Sequence, residues 1–357
     1  MPELPEVETV ARDLRPKLVG ARIVGARNSW ARTLRTHSPE AFAEAVAGHR
    51  VETVGRRGKQ LLIELSDGLA LTIHLKMTGQ LFVVPAEAPE DPYVRLVFEL
   101  EDGRELRFRD IRKFGKVALY RRAPGGQLVA EPGGRDVFAA TGPEPLDEAF
   151  TLRAFRRLLR SRKGRLKPLL TNQAFVAGIG NIYADEALWL ARLHPLRSAS
   201  SLKPADERRL YQAIRTVLGE AVQRRGSSID DYTAPDGDGA MQERLQVYQR
   251  TGEPCPRCGR PIRRIVIGAR STHFCSWCQR LPAPDRRGAQ AILSGMTPRP
   301  VRRAGRWTEL PAGDGVIRLT AVEAAQAAAR IRAERTRRAA ETRRAAARGS
   351  AAGGGTG

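Results

Sequence analysis

The chain is predicted to be an α+β protein of several parts, with an antiparallel β-rich first half, a helical second half, a small metal-held hairpin and a basic tail. Three observations predict it. Short apolar or alternating runs broken by turn signals recur over residues 21–120, apolar residues at helical spacing dominate 151–225, and all four cysteines fall between Cys255 and Cys278. A length of 357 residues with 41% hydrophobic content is enough for a full core and suggests about two principal domains.

The first element is a helix over residues 6–18. Val7, Val10, Leu14 and Leu18 fall near helical spacing, and Gly20 suits the cap beyond it. Strands are expected at 21–24, 60–65, 69–75, 80–84, 94–100, 105–108 and 117–120, with Ser66-Asp67-Gly68 and Glu101-Asp102-Gly103 as turns. Together they read as an antiparallel sandwich or barrel. A helix over 38–46 is inserted, with Ser38 as N-cap before Pro39. A Gly/Pro-bearing stretch, 122–145, then separates the halves, and helices follow at 151–160, 166–171, 182–191 and 204–225. The expected divisions are 1–145, 146–250, 251–280 and 281–357. The last is a basic Ala/Arg-rich tail, disordered or partly helical, with fifteen Arg against six acidic residues.

The formal charge of +22 points to a polyanionic partner, because Lys and Arg that neutralise phosphates release counterions. No apolar run approaches a membrane span, and the acidic, Pro-interrupted start is no signal peptide, so the expected compartment is the reducing cytoplasm. Cys255-Pro256-Arg257-Cys258 and Cys275-Ser276-Trp277-Cys278, sixteen residues apart, match paired thiolate knuckles around one tetrahedral zinc. Four sulfurs leave no open coordination position, so the ion is structural. Alternation over 262–267 and 272–274 places Gly268-Ala269-Arg270 at or near the tip of a hairpin, where Arg270 suits a phosphate.

The chemistry is expected at the start of the chain. Removal of Met1 would leave Pro2 as a secondary amine, able to attack C1' of a nucleotide and form an iminium directly, with Glu3 placed for proton transfer. By itself the segment also reads as a plain helix start, with Pro5 in the first turn and Glu3, Glu6 and Glu8 complementing the helix dipole.

Seven ordered blocks decide between these readings. They are Pro2-Glu3-Leu4-Pro5-Glu6-Val7-Glu8, Arg56-Arg57-Gly58-Lys59, His74-Leu75-Lys76-Met77-Thr78-Gly79, Asp110-Ile111-Arg112-Lys113-Phe114-Gly115, Gly142-Pro143-Glu144-Pro145-Leu146, Gly178-Ile179-Gly180-Asn181-Ile182-Tyr183-Ala184-Asp185-Glu186 and the cysteine hairpin. On these, residues 2–280 resemble the bacterial formamidopyrimidine-DNA glycosylases, bifunctional enzymes that excise oxidised purines. The resemblance implies a β-sandwich, a helix-two-turn-helix domain and a zinc hairpin around damaged double-stranded DNA. It implies Pro2 as Schiff-base nucleophile, Glu3 as acid/base group and Lys59 as catalytic lysine. Lys167, Asn181 and Arg270 become phosphate contacts, and Met77, Arg112 and Phe114 fill the space left by the extruded base. A monomer is implied, and no protein partner is identifiable.

The chain departs from the family's pattern in several places. Asp91-Pro92-Tyr93 replaces a Lys/His-rich run, Lys76 a Gly, and Ile111 a Pro. In the 226–243 loop, Gly239-Ala240-Met241 replaces Gly-Tyr-Phe, which bears on purine selectivity. Two alternatives are an endonuclease VIII-like glycosylase for oxidised pyrimidines, which typically has Gly in place of Leu4, and a noncatalytic zinc-dependent protein that only binds damaged DNA.

Overall fold

The computed structural model describes residues 1–130, 133–228 and 239–294. Helix α1 (Leu4–Leu18) opens the chain, with Pro5 in its first turn and Arg15 and Lys17 in its last, where cations complement the dipole. Its buried face joins two cores. Leu4 packs in the core of the helical half, whereas Val7, Val10, Leu14 and Leu18 pack in that of the β half.

Nine strands follow: β1 (Ile23–Asn28), β2 (Val51–Arg57), β3 (Gln60–Leu65), β4 (Leu69–His74), β5 (Gly79–Pro85), β6 (Val94–Leu100), β7 (Arg104–Asp110), β8 (Lys116–Arg122) and β9 (Leu128–Val129). Helix α2 (Pro39–Val46) lies between β1 and β2, and its first turn is capped by Ser38 Oγ, which accepts the Ala41 N–H at 3.3 Å. The strands form a four-stranded sheet ordered β1-β6-β7-β5 and a five-stranded sheet ordered β2-β3-β4-β8-β9, each antiparallel. Leu61, Ile63 and Ile73 of one sheet and Leu81, Phe98 and Phe108 of the other share a single core, which makes the unit a sandwich. Strand β2 is not among the expected strands. Its register shifts between Val51 and Thr53, so its buried residues, Val51 and Val54, break the two-residue alternation that marks a strand in sequence.

The helical half comprises α3 (Leu152–Arg160), α4 (Leu166–Thr171), α5 (Asn181–Leu190) and α6 (Pro204–Gln223). Every residue of α5 from Ile182 to Trp189 is buried, so this helix is enclosed rather than amphipathic. Phe150, Phe155, Phe175 and Tyr211 cluster beside it, with Phe150 and Phe155 ring centroids 5.8 Å apart. Strands β10 (Arg263–Ile267) and β11 (Arg270–Phe274) then form the expected hairpin. Its turn is Gly268-Ala269, both at positive φ (54° and 61°), the two-residue geometry that matches strand twist.

Structure continues past the expected boundary at residue 280. Leu281 and Ala289 are buried with Ile265, Ile267 and Phe274 of the hairpin, through the short helices α7 (Ala283–Arg286) and α8 (Gln290–Ser294). Arg165 holds this segment by donating to the Asp285 and Arg287 carbonyls at 2.8 and 2.9 Å. The remainder of the expected tail, 295–357, lies outside the described residues, as does 229–238 of the 226–243 loop. Among the described residues, no helix is long and apolar enough to cross a membrane.

Gly219 sits inside α6, where a Cβ would meet nothing within 4 Å. Gly219→Ala is therefore expected to stabilise the protein by about 0.5–1 kcal/mol, read from urea unfolding midpoints, by restricting the unfolded chain. Destabilisation would mean the helix surface there is covered.

Candidate active site

Glu3 is the centre of the site. Its position at the start of α1 suggests a cap for its own helix, yet its carboxylate is turned onto the first turn of α5. Oε2 accepts the Gly180 N–H at 2.5 Å and the Tyr183 N–H at 3.4 Å, and Oε1 accepts the Ile182 N–H at 2.8 Å. Helix N-termini leave such donors unpaired and favour a negative charge. Gly180 makes the approach possible: a Cβ there would overlap the Glu3 carboxylate and lie 2.6 Å from Lys59 Nζ. Burial raises the Glu3 carboxyl above its usual range, against Lys59, which lowers it, while Glu6 raises it and the Ile182 and Gly180 N–H groups lower it.

Lys59 is 7% exposed, so it is no ordinary surface lysine. Burial lowers its ammonium pKa, Glu3 and Glu6 oppose the shift, and Arg270 adds to it. The turn that presents it is clamped by Glu144 from the stretch joining the two halves. This carboxylate accepts Arg56 Nη1 at 2.6 Å, Arg57 Nη1 at 2.8 Å and the Gly58 N–H at 2.6 Å. Burial alone would raise the Glu144 carboxyl; Arg56, with Gly58 and Arg57, outweighs it and holds the group low.

Pro2, Glu3, Lys59, His74, Asn181 and Arg270 line one cavity of about 460 Å³. Pro2 is buried behind Met1, which is 46% exposed. Burial, with Lys76 and Lys59, pushes His74 down to about 4, so its ring is neutral at neutral pH. His74 Nδ1 accepts the Lys76 N–H at 3.1 Å, which leaves the ring proton on Nε2. Glu6 supports the floor, with Oε2 accepting the Glu3 N–H at 2.8 Å and Oε1 accepting the Tyr183 hydroxyl at 2.5 Å and the Ser227 N–H at 2.8 Å. Sequence reasoning missed His74, Glu6 and Ser227 as cavity residues. Their signal was only that they lie in or beside the blocks that carry Met77, Glu3 and the loop.

The three expected phosphate contacts fare differently. Arg270 is exposed at the hairpin tip on the cavity wall. Asn181 Nδ2 donates to the Ser271 carbonyl at 2.9 Å, while its Oδ1 is buried without a partner among the described residues. Lys167, in contrast, is 2% exposed and committed inward, donating to Asp185 Oδ1 at 2.5 Å and to the Asn181 carbonyl at 2.8 Å. Asp185 Oδ2 also accepts the His273 N–H at 2.9 Å. The pair therefore fastens α4, α5 and β11 together behind the cavity.

Met77, Arg112 and Phe114 stand on the adjoining β4–β5 and β7–β8 connections. Met77 is 37% and Phe114 50% exposed, and the Arg112 guanidinium lies 5.4 Å over the Phe114 ring. One buried carboxylate fixes both loops. Asp110 Oδ1 accepts Thr78 Oγ1 at 2.5 Å, Oδ2 accepts the Gly115 N–H at 2.6 Å, and Thr78 Oγ1 in turn accepts the Arg112 N–H at 3.1 Å. Lys76, at a position expected to favour Gly, has φ of 57°, the left-handed region where Gly is unstrained. At 91–93, Asp91 pairs with Arg109 at 2.8 Å, and the Tyr93 ring lies 5.3 Å from the Arg109 guanidinium. Met241 of the altered loop is buried in the helical core.

The four cysteine sulfurs lie within 4.8 Å of one another. Tetrahedral zinc with Zn–S bonds of about 2.3 Å needs sulfurs about 3.8 Å apart, and Cys258 and Cys275 Sγ are 3.5 Å apart. Trp189 Nε1 donates to Cys255 Sγ at 3.5 Å and the Cys278 N–H to Cys275 Sγ at 3.4 Å, support suited to thiolates. The donor set fits one structural zinc.

Comparison with known proteins places matches along the same segments. The Formamidopyrimidine-DNA glycosylase N-terminal domain matches residues 1–117, the Formamidopyrimidine-DNA glycosylase H2TH domain 141–233, and the zinc finger found in FPG and IleRS 252–281. A curated relative from Herpetosiphon aurantiacus, named Formamidopyrimidine-DNA glycosylase, is 48% identical over 281 residues, covering 78% of this chain and 100% of its own. Among solved structures, the MutM (FPG) protein from Thermus thermophilus aligns with a TM-score of 0.69 at 43% identity, covering 79% of this chain and 100% of that one. A Lactococcus lactis FPG mutant in complex with Fapy-dG containing DNA aligns with a TM-score of 0.71 at 37% identity, covering 78% and 100%.

Removing one partner of a buried ion pair leaves the other uncompensated. Lys167→Met is expected to destabilise the protein by about 3–5 kcal/mol in chemical denaturation, with part of the loss recovered in Lys167→Met/Asp185→Leu. A change below about 0.5 kcal/mol, the usual result at an exposed position, would contradict the inward placement.

Proposed function

The chain belongs to the formamidopyrimidine-DNA glycosylase family, and from that premise we propose how its own residues carry the activity. The protein is a DNA glycosylase and abasic-site lyase that removes oxidised purines from duplex DNA. Loss of Met1 frees the Pro2 amine at the cavity floor. Pro2 attacks C1' and the base leaves with the electrons of the glycosidic bond, taking up the proton that the amine sheds. The sugar oxygen then takes a proton from Glu3 as the ring opens, and the nitrogen lone pair completes the iminium. Loss of the acidified C2' proton expels the 3' phosphate by β-elimination, a second proton loss expels the 5' phosphate by δ-elimination, and water then hydrolyses the iminium, freeing the sugar fragment and the Pro2 amine.

The observation that carries this reading is the convergence of Pro2, Glu3 and Lys59 on one cavity beside the start of α5. Their burial favours the neutral forms of Glu3 and Lys59, which supports proton donation by the one and proton acceptance by the other. Asn181 and Arg270 on the same cavity wall support phosphate contact, and Lys167 takes a positioning role beneath Asn181. Met77, Arg112 and Phe114 refill the vacated base stack, and the exposure of their side chains supports this. A monomer is the state the family resemblance implies. The zinc is structural, and the expected site of action is the cytoplasm, at the nucleoid.

Borohydride is expected to trap a covalent adduct with duplexes containing Fapy-dG, 8-oxoguanine or an abasic site, and N-terminal mass spectrometry of the reactive protein should show Met1 removed. Strand scission at an undiminished rate by Pro2→Gly, or by protein retaining Met1, would refute the amine's role. Preferential trapping on thymine glycol would favour the pyrimidine reading instead, and binding without scission the noncatalytic one.

Because the proton donor is the protonated form of Glu3, the glycosylase rate should fall as pH rises through a carboxyl value above the usual range. That limb should vanish in Glu3→Gln, leaving a residual rate at least about a hundredfold lower. A limb at the position of a solvated carboxylate would contradict the burial effect.

A further inference from the structure

We propose that the zinc knuckles carry a second site for the DNA phosphodiester backbone, outside the catalytic cavity and built on arginines around Trp277. The Trp277 side chain is 47% exposed, beside Cys278 and away from the hairpin tip. The Arg260 guanidinium lies 3.5 Å and the Arg280 guanidinium 4.1 Å from its ring centroid. Two guanidinium carbons that close to one centroid would overlap on a single face, so they occupy opposite faces. Nearby, Arg257 stacks over Trp189 at 4.1 Å and donates to the Trp189 carbonyl at 3.0 Å. Arg192, Arg197, Arg257, Trp277 and Arg280 line a surface hollow of about 510 Å³.

The positive charge here exceeds what offsets it. Cys258 and Cys278 also line the hollow, and four thiolates around one Zn²⁺ carry a net charge of about −2, fewer than the arginines gathered beside them. Among the described residues, Arg197 pairs with Asp206 at 2.7 Å, whereas Arg192, Arg257, Arg260 and Arg280 have no carboxylate within 4.0 Å. Elsewhere the arginines are commonly paired, as Arg56 is with Glu8 and Glu144 and Arg160 with Glu207. Several guanidiniums gathered in one hollow repel one another, and an anion with several charged oxygens relieves that repulsion. With both faces of Trp277 taken, no base can stack on it, so the site reads charge and not sequence. That favours a duplex backbone over an unpaired strand.

The site is also distinct in position. Arg270 reaches the catalytic cavity from the tip, and β11 runs from it toward the knuckles at about 3.3 Å per residue, which puts the hollow roughly 15 Å away. The phosphates could belong to the flank of the duplex held in the cavity or to a second duplex.

The test uses the full zinc-loaded chain and Arg192→Gln/Arg280→Gln, neither of which lines the cavity. On an undamaged duplex of about 30 base pairs, the slope of log affinity against log salt should become shallower by about 2, with affinity about tenfold lower at moderate salt. Borohydride trapping on an abasic duplex of about 12 base pairs should be unchanged, which reports the catalytic reading separately. If a flank is the ligand, affinity for lesion duplexes will rise with length in the parent and not in the variant. If a second duplex is the ligand, enzyme already trapped on the short duplex will capture labelled long duplex, and the variant will not. Should the double variant lose zinc, Arg192→Gln alone, away from the indole stack, should lower the slope by about 1. An unchanged slope with zinc retained overturns the proposal. So does polyglutamate binding that depends on these arginines while the DNA slope stays constant, which would assign the hollow to an acidic protein partner.

Discussion

The site depends on one carboxylate that leaves its own helix to cap another. Glu3 begins α1, but its oxygens satisfy the backbone donors of Gly180, Ile182 and Tyr183, up to 180 positions away in sequence. Unpaired donors at a buried helix start are costly, and a desolvated carboxylate is more so; each here compensates the other. Because Pro2 immediately precedes Glu3, fixing this carboxylate also fixes the proposed nucleophile against α5. The same contact joins the β half to the helical half, and Leu4 reinforces it by packing into the helical core.

A second layer of carboxylates fixes the remaining groups without entering the chemistry. Glu144 clamps the turn before Lys59, Glu6 holds the Glu3 N–H and Ser227, and Asp110 ties together the two loops bearing Met77, Arg112 and Phe114. In a chain with a formal charge of +22, acids are in the minority. Those near the cavity accept backbone or arginine donors, so the positive surface left over faces solvent and, in the proposed function, phosphate.

Much of this was legible in the sequence, and the exceptions have physical causes. Helix spacing found α1 and α6 because each buries one stripe, and alternation found β3, β6 and β10. Strand β2 escaped because its bulge breaks the alternation, and the pattern of α5 placed a helix but not its packing, since every residue from Ile182 to Trp189 is buried. The cysteine spacing identified the zinc set, and the resemblance carried by the 2–8 and 56–59 blocks named Pro2, Glu3 and Lys59, which line one cavity in the structure. What spacing could not convey is direction: Glu3 serves α5, and Lys167 points inward to Asp185. Both outcomes rest on contacts between segments remote in sequence.

Zinc acts on the cavity through two short links of backbone. From the knuckles, β11 carries His273, whose N–H meets Asp185, and Ser271, whose carbonyl receives Asn181 Nδ2. Asp185 holds Lys167, and Lys167 holds the carbonyl of Asn181, so the hairpin, α4 and the first turn of α5 form one closed circuit of hydrogen bonds. A four-thiolate zinc stabilises the folded hairpin itself, and its register in turn decides where Arg270 meets the cavity and whether Asn181 stays oriented. The donors capped by Glu3 begin at Gly180, one residue before Asn181. The metal, though chemically closed, is thereby coupled to the position of the acid group it never touches.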